Sequence, residues 1–388
     1  MRNKKLTRRG FLGAAAGAGL GGLALPAFPG SKPATAANRC GAEFWDGRSK
    51  SDQLPRKVIV GTVMQPFWGK YPGLDPRLQQ LMEIVDRLQA QSQQHYGRGL
   101  DLVVLPETSI TGEARSTGTV MDWAYPLEGP VQETFARKAS QHHCYIVAPL
   151  FLLEDRATKL CSNAAVLFGR QGEVVGIYRK VHPVVDLKTG VMEQGVAAGK
   201  EVPVFNCDFG KLGIQICFDI NFQYTWKELA RKGAEIVAWP TQSPQTTTPA
   251  CRAMDNDYYI VSSTWRNNAS IFDPTGKIIS QVRWTPAMGS VESVGEKPLT
   301  DNILVQEIDL SYGILGWSGT LGNGQAFTRA FGDKAGFRYY DDDDRGIFWS
   351  NDPHMTVRQM IQSLNQVEQR ESMELTVQDF RKAGVPGY

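Results

Sequence analysis

Three residues able to do acid–base or nucleophilic chemistry each follow an apolar run. Glu107 comes after "DLVVLP", Lys180 after "GEVVGIYR" and Cys217 after "LGIQI". A thiol is mostly protonated at neutral pH and needs a base and a nearby cation to become a nucleophile. A carboxylate supplies the base. An ammonium stabilises the thiolate, then the oxyanion, without competing as a nucleophile while it stays charged. The backbone N–H of Phe218, next after the cysteine, adds an oxyanion donor worth about 3 kcal/mol in the transition state. Taken singly, each residue has an ordinary reading: a buried thiol acting as a small hydrophobe, or a surface charge. Together they form a set suited to acyl transfer through a thioester. His182, two residues beyond Lys180, leaves a Cys–His pairing open, whereas the G-x-S-x-G signature of a serine hydrolase is absent.

The other reactive clusters read as structural. His142-His143-Cys144 has no matching ligand pair nearby, so no metal is expected there. The run Asp341–Asp344 reads as a solvated charged turn rather than a cation site. Six cysteines with wide spacings and no C-x-x-C read as scattered core residues. Gly17-x-Gly19-x-x-Gly22 has the spacing of a dinucleotide fingerprint but no strand before it and lies in the leader, so it is discarded.

The elements that must position the three residues alternate between two periods. Strands are expected at 56–65, 100–108, 144–153, 161–180 (two strands around Gly172), 212–217, 234–240 and 302–310, the last taken as the final strand. Residues 75–94 open with an Asp cap and Pro, and Leu78, Leu81, Ile84, Val85 and Leu88 recur at helical spacing. Further helices are expected at 131–143 and 226–233, and a last one within 354–371. Residues 250–265 pass from helix to strand, and 269–281 form a hairpin across Pro274-Thr275-Gly276. Strands alternating with helices predict an α/β fold, and the ends of such strands are where loops gather reactive side chains.

Composition narrows the function. The formal charge is +2, and six cations with no acidic residue sit within 1–36, which leaves −4 for the rest. A mildly acidic body argues against nucleic acid, which needs clustered Lys and Arg. The leader joins a basic segment, "LTRRGFLG", to a Gly/Ala-rich apolar run and a small-residue stretch with Ala34-Thr35-Ala36. It resembles a twin-arginine export signal, which predicts a folded protein delivered to the periplasm or beyond. The run is broken by Pro26 and is a poor spanning helix, so no stable membrane insertion is expected after processing.

The order "LPE", "YRKVH", "GIQICFD" resembles the nitrilase (carbon–nitrogen hydrolase) superfamily, whose members share a Glu–Lys–Cys triad. "AAGKEVPVFNCDFGKLGIQICFD", "KGAEIVAWP", "CRAMDNDYYIVSST", "FDPTGKIIS" and "NILVQEIDL" follow in that family's order. The resemblance covers about residues 57–310. It implies a four-layer α-β-β-α sandwich, flanked by a signal peptide (1–36), an arm (37–56) and a C-terminal extension (311–388). Carried over, it makes Cys217 the nucleophile, Glu107 the base, and Lys180 with the Phe218 amide the oxyanion stabilisers. Glu193 would be a second, substrate-orienting glutamate, with Glu201 as its rival. A small amide substrate, no cofactor and a homodimer or larger homo-oligomer follow. Phe218-Asp219 resembles amidase-like branches more than nitrile-cleaving ones. Asn221-Phe222-Gln223 departs from the Arg and Phe-Pro-Glu that many amidase-like members carry there. Trp239, Thr241 and Trp265 read as ordinary core, with pocket lining as the alternative. The alternatives kept open are a nitrilase, an N-carbamoyl amidohydrolase, acyl transfer to an acceptor other than water, and a non-catalytic binding protein.

Overall fold

A computed structural model describes residues 49–113, 118–288, 299–316 and 321–387. The leader, Cys40 and most of the arm lie outside them. Two six-stranded sheets dominate. The first has the order β12-β1-β2-β3-β4-β5 and the second β11-β10-β9-β8-β7-β6. In the first sheet β1 (Lys57–Val63), β2 (Leu102–Val104) and β3 (Tyr145–Asp155) run parallel, and β4 (Leu160–Phe168) and β5 (Val174–Arg179) return as a meander. The second sheet repeats the plan. Its parallel centre is β7 (Gly210–Ile214), β8 (Ile236–Pro240) and β9 (Tyr259–Ser263), with β6 (Val204–Cys207), β10 (Asn268–Phe272) and β11 (Ile278–Arg283) antiparallel beside it. β12 (Ile303–Asp309) crosses back to pair with β1.

Side-chain alternation then stacks the layers. In β1, Val58 and Val60 point one way and meet Leu102, Val104, Ile214, Ile216, Ile236 and Val261, the core between the two sheets. Ile59 and Val63 point the other way, onto Leu78, Leu81, Ile84, Val85 and Leu88 of α1 (Leu74–Tyr96) and Phe135 of α2 (Pro130–His142). On the far side, Val237 and Ile260 meet Trp226 and Leu229 of α3 (Gln223–Arg231) and Ala253 of α4 (Thr247–Asn256). The layers are therefore helix, sheet, sheet, helix. The central strands are buried on both faces, which is why they read as unbroken apolar runs.

Beyond residue 310 the chain folds further, so β12 is not the final strand. A third sheet, β13 (Tyr312–Gly316), β14 (Ala335–Tyr340) and β15 (Arg345–Ser350), has the order β13-β15-β14. It carries α5 (Gln325–Phe331), α6 (Val357–Ser363) and α7 (Gln369–Lys382). The single last helix expected from the pattern is thus two. Asn365 at φ +54° turns the chain between them, a conformation Asn tolerates better than most residues. The acidic run is a short turn in which Asp343 pairs with Lys277 and Asp344 accepts from Tyr339, a charged surface feature.

The extension docks at one end of the sandwich. Tyr312 Oη donates to the carbonyl of Asp257, just before β9, at 2.7 Å, and Tyr340 Oη donates to Asp273, just after the antiparallel β10, at 2.6 Å. Lys57, the first residue of β1, reaches Asn351 at 3.0 Å. These are the N-terminal ends of the parallel strands. The candidate catalytic residues follow the C-terminal ends.

Candidate active site

Glu107 follows β2 by way of Pro106, Lys180 is the first residue after β5, and Cys217 opens a 3-10 turn three residues after β7. β2, β5 and β7 all finish on the same side. A parallel bridge between Met64 and Thr264, beyond β1 and β9, ties the two sheets together there. Glu107 (3% exposed) and Lys180 (1%) are out of solvent, and Cys217 is half-buried beside them. Lys180 Nζ donates to Glu107 Oε1 at 2.8 Å and to Glu193 Oε1 at 2.6 Å. The second glutamate in reach is therefore Glu193, on a hairpin after β5; Glu201 is exposed. The Cys217 thiol feels the charges of both Glu107 and Lys180.

The electrostatics follow from burial. Burial alone would lower Lys180, but the Glu107 and Glu193 carboxylates reverse that and hold its ammonium well above the ordinary lysine range. Burial, and next the Glu107 carboxylate, push the Cys217 thiol up to about 12, against the opposing pull of Lys180. The resting site therefore holds a neutral thiol beside a carboxylate and a fixed cation. It can move a proton from sulfur as attack proceeds without storing a free thiolate.

Several backbone positions here are strained. Thr108 (φ +50°), Glu193 (φ +40°), Gln194 (φ +63°) and Cys217 (φ +42°) all occupy the left-handed region. That is uncommon for non-glycine residues and marks positions the surrounding fold over-determines. The supports are visible. Trp239 Nε1 donates to the Cys217 carbonyl at 3.2 Å, and Trp265 Nε1 donates to the Glu107 carbonyl at 2.8 Å. Both tryptophans are core residues, as their sequence context implies, and they also fix the backbone of the reactive positions. The Gln242 N–H donates to Glu107 Oε2 at 3.0 Å and the Val184 N–H to Glu193 Oε1 at 3.0 Å.

Asp219 has a role the sequence did not reveal. It is fully buried and accepts from the Ile216 N–H (2.9 Å), Tyr178 Oη (2.7 Å) and the His182 N–H (2.9 Å), with His182 Nδ1 at 2.8 Å. It ties the turn of Cys217 to the strand end of Lys180. His182 thus faces Asp219 and stacks on Phe222 at 4.0 Å between ring centroids. Phe218 meets Phe222 edge-on at 5.5 Å. Asn163, in the middle of β4, was also missed. Its Nδ2 donates to Glu107 Oε1 and Glu193 Oε2, both at 2.9 Å. The signal in the sequence was a lone amide inside the apolar run "CSNAAVLF". No group of three or more metal-ligating side chains occurs among the described residues, and the five described cysteines are free.

The carbon–nitrogen hydrolase family pattern matches residues 62–312, and the chain belongs to that family. It is an amidase-like carbon–nitrogen hydrolase. Over 238 residues it is 27% identical to an omega-amidase of Danio rerio, covering 56% of this chain and 79% of that one. An omega-amidase of Saccharomyces cerevisiae is 26% identical over 259 residues, covering 60% and 86%. Among solved structures, a Saccharomyces cerevisiae member of branch 10 of the nitrilase superfamily superposes with a TM-score of 0.51 at 20% identity, over 72% of this chain and 95% of that one. A nitrilase-superfamily amidase from Nesterenkonia gives 0.50 at 17% identity, over 66% and 92%. At these identities the solved structures speak for the fold.

Proposed function

We propose that the chain hydrolyses a small non-peptide amide through a thioester on Cys217. The observation that carries this reading is the buried Glu107–Lys180 pair with Cys217 beside it, brought together at the ends of strands from both sheets. Sγ attacks the amide carbonyl carbon while its proton passes to Glu107. The negative charge that develops on oxygen is met by the Lys180 ammonium and the Phe218 N–H, donors fixed before the reaction starts. Collapse breaks the C–N bond, and Glu107 returns the proton to the departing nitrogen, releasing ammonia or an amine. Glu107 then takes a proton from water, which attacks the thioester and frees the acid and the thiol. Glu193, bonded to the same lysine, orients substrate and water. The residues supply every proton and charge these steps require, so no metal or organic cofactor is called on.

The names of the omega-amidase relatives and the Phe218-Asp219 pair support an amide over a nitrile. Asp219 bears on this only indirectly, because it is buried under the turn. The test is ammonia release from a panel of aliphatic, aryl and carbamoyl amides, with nitriles as a competing arm. Cys217→Ala should abolish turnover, and activity that survives it overturns the nucleophile assignment. In Glu107→Gln, mass spectrometry should find an acyl adduct on the Cys217 peptide; an adduct on another cysteine reassigns the site.

We further propose residues 1–36 as a twin-arginine signal, so that the enzyme works outside the cytoplasm, as a homodimer or larger assembly. Residues 57–310 form the hydrolase domain in this reading, between an arm at 37–56 and an extension at 311–388. Replacing Arg8-Arg9 by Lys-Lys should stop export, and unchanged export refutes the signal.

A further inference from the structure

We infer that Asn163 is a positioning residue that makes Glu107 a one-sided base, leaving a single oxygen open to the thiol proton. The inference rests on the assignment of Glu107 as base to Cys217.

The argument is one of counting acceptor sites. A carboxylate oxygen offers two lone-pair directions. Glu107 Oε1 takes Lys180 Nζ at 2.8 Å and Asn163 Nδ2 at 2.9 Å, which fills both. Glu107 Oε2 takes only the Gln242 N–H among its assigned donors, at 3.0 Å, which leaves one direction free. Without the amide, Oε1 would compete for the proton from a position already bound to the lysine. Transfer there would place the proton between an acid and a cation, away from the path back to the leaving nitrogen.

An uncharged amide meets the demands of the place. Its NH2 has two hydrogens, and the second goes to Glu193 Oε2 at 2.9 Å. Lys180, Glu107, Asn163 and Glu193 thereby close a ring of four side chains from four separate segments. The amide brings no charge, so it holds two carboxylates a fixed distance apart without neutralising either. Aspartate there would add a third negative group, and serine could serve only one of the two oxygens. Asn163 Oδ1 is buried and has no hydrogen-bond partner. A buried acceptor left unpaired weakens a fold. The amide is thus oriented for the two carboxylates and not for its own satisfaction, as expected of a group retained for the site.

The test uses full-length enzyme and an amide of the panel that it hydrolyses, with kcat, KM and the pH profile of kcat/KM measured for Asn163→Ala, Asn163→Ser and Asn163→Asp. Asn163→Ala should lower kcat about 10- to 100-fold and change KM by less than about three-fold. The acid limb of kcat/KM should move up by about half a pH unit or more, because an ionised carboxylate loses a donor. Asn163→Ser, which keeps one donor, should fall between wild type and Asn163→Ala on both measures. Asn163→Asp should move the acid limb furthest. A loss of kcat that only tracks the folded fraction, with the acid limb unmoved, overturns the inference, as does unchanged kcat. Should Asn163→Ala fail to fold, the serine and aspartate variants decide by the same limb. With Cys217→Ala inactive and the limb unmoved, the positioning role alone falls. If Cys217→Ala retains turnover, the base assignment and this inference fall together.

Discussion

Asp219 shows how much of this site is held by groups that never meet substrate. Four donors converge on its two oxygens, from the turn of Cys217 on one side and from Tyr178 and His182 on the other. Asp219→Ala would leave buried donors unpaired, and we expect a loss of at least about 3 kcal/mol in chemical denaturation together with a fall in kcat. A loss of kcat with stability unchanged would instead place Asp219 in the chemistry. Cys217 gives a second prediction at this scale. With its thiol pushed up to about 12, it stays protonated well above neutral pH. At pH 8 iodoacetamide should label Cys217 more slowly than the exposed Cys251, read peptide by peptide; faster labelling of Cys217 would show a resting thiolate. Glu107, Lys180 and Cys217 were legible because each ends an apolar run, where a reactive side chain has no packing reason to be. Asn163 and Asp219 were not. Their partners lie 30 to 56 residues away for Asn163 and up to 41 for Asp219, so only the folded arrangement explains them.

Among the elements, the end of β5 is the most constrained. A Cβ on Gly199 would lie 2.1 Å from the Arg179 carbonyl oxygen, and the Gly199 N–H donates to the Lys180 carbonyl at 2.8 Å. Backbone stands against backbone, so no side chain can move aside. Gly199→Ala should shift the strand end that delivers the lysine and lower kcat about 10- to 100-fold, since small misplacements of reacting groups are costly. Steady-state kinetics check this; unchanged kcat would mean that the loop after Lys180 yields instead. The strands of the sandwich were readable from the sequence because burial on both faces demands continuous apolar residues. The short β6 and the third sheet were not. In β14 the residues alternate glycine, aromatic and arginine, all half-buried, which matches neither period cleanly.

For the whole molecule, the extension and the candidate active site lie at opposite ends of the same strands. Changes at the extension should therefore alter stability and spare turnover. Tyr340→Phe removes its hydrogen bond to Asp273, and we expect a loss of about 1 kcal/mol with kcat unchanged. A changed kcat would show that the two ends communicate. Lys50 offers a pH test of the same joint. It is partly buried, donates to the Asp257 carbonyl and to Tyr312 Oη, and desolvation lowers it to about 8 from an ordinary 10.5. With its folded value below its unfolded one, the protonated form opposes folding. Stability from this residue is therefore least below pH 8 and recovers as pH rises toward 10.5. Between pH 8 and 9.5 this residue's gain should be on the order of 1.5 kcal/mol, read as the wild-type change minus that of Lys50→Met. The subtraction is needed because the raised thiols of Cys144, Cys207 and Cys217 lower stability over the same interval in both proteins. Denaturant titrations of both proteins give that difference, and an identical pH dependence in wild type and Lys50→Met would overturn the assignment to Lys50.

The surface of α7 adds a practical consequence. Not one of its residues is buried, and Arg370 and Glu368 already anchor its start to the body. A tether attached along its outer turns would hold each molecule by the end remote from Cys217. An immobilised film made this way would present its candidate sites to the flowing solution, in one common orientation.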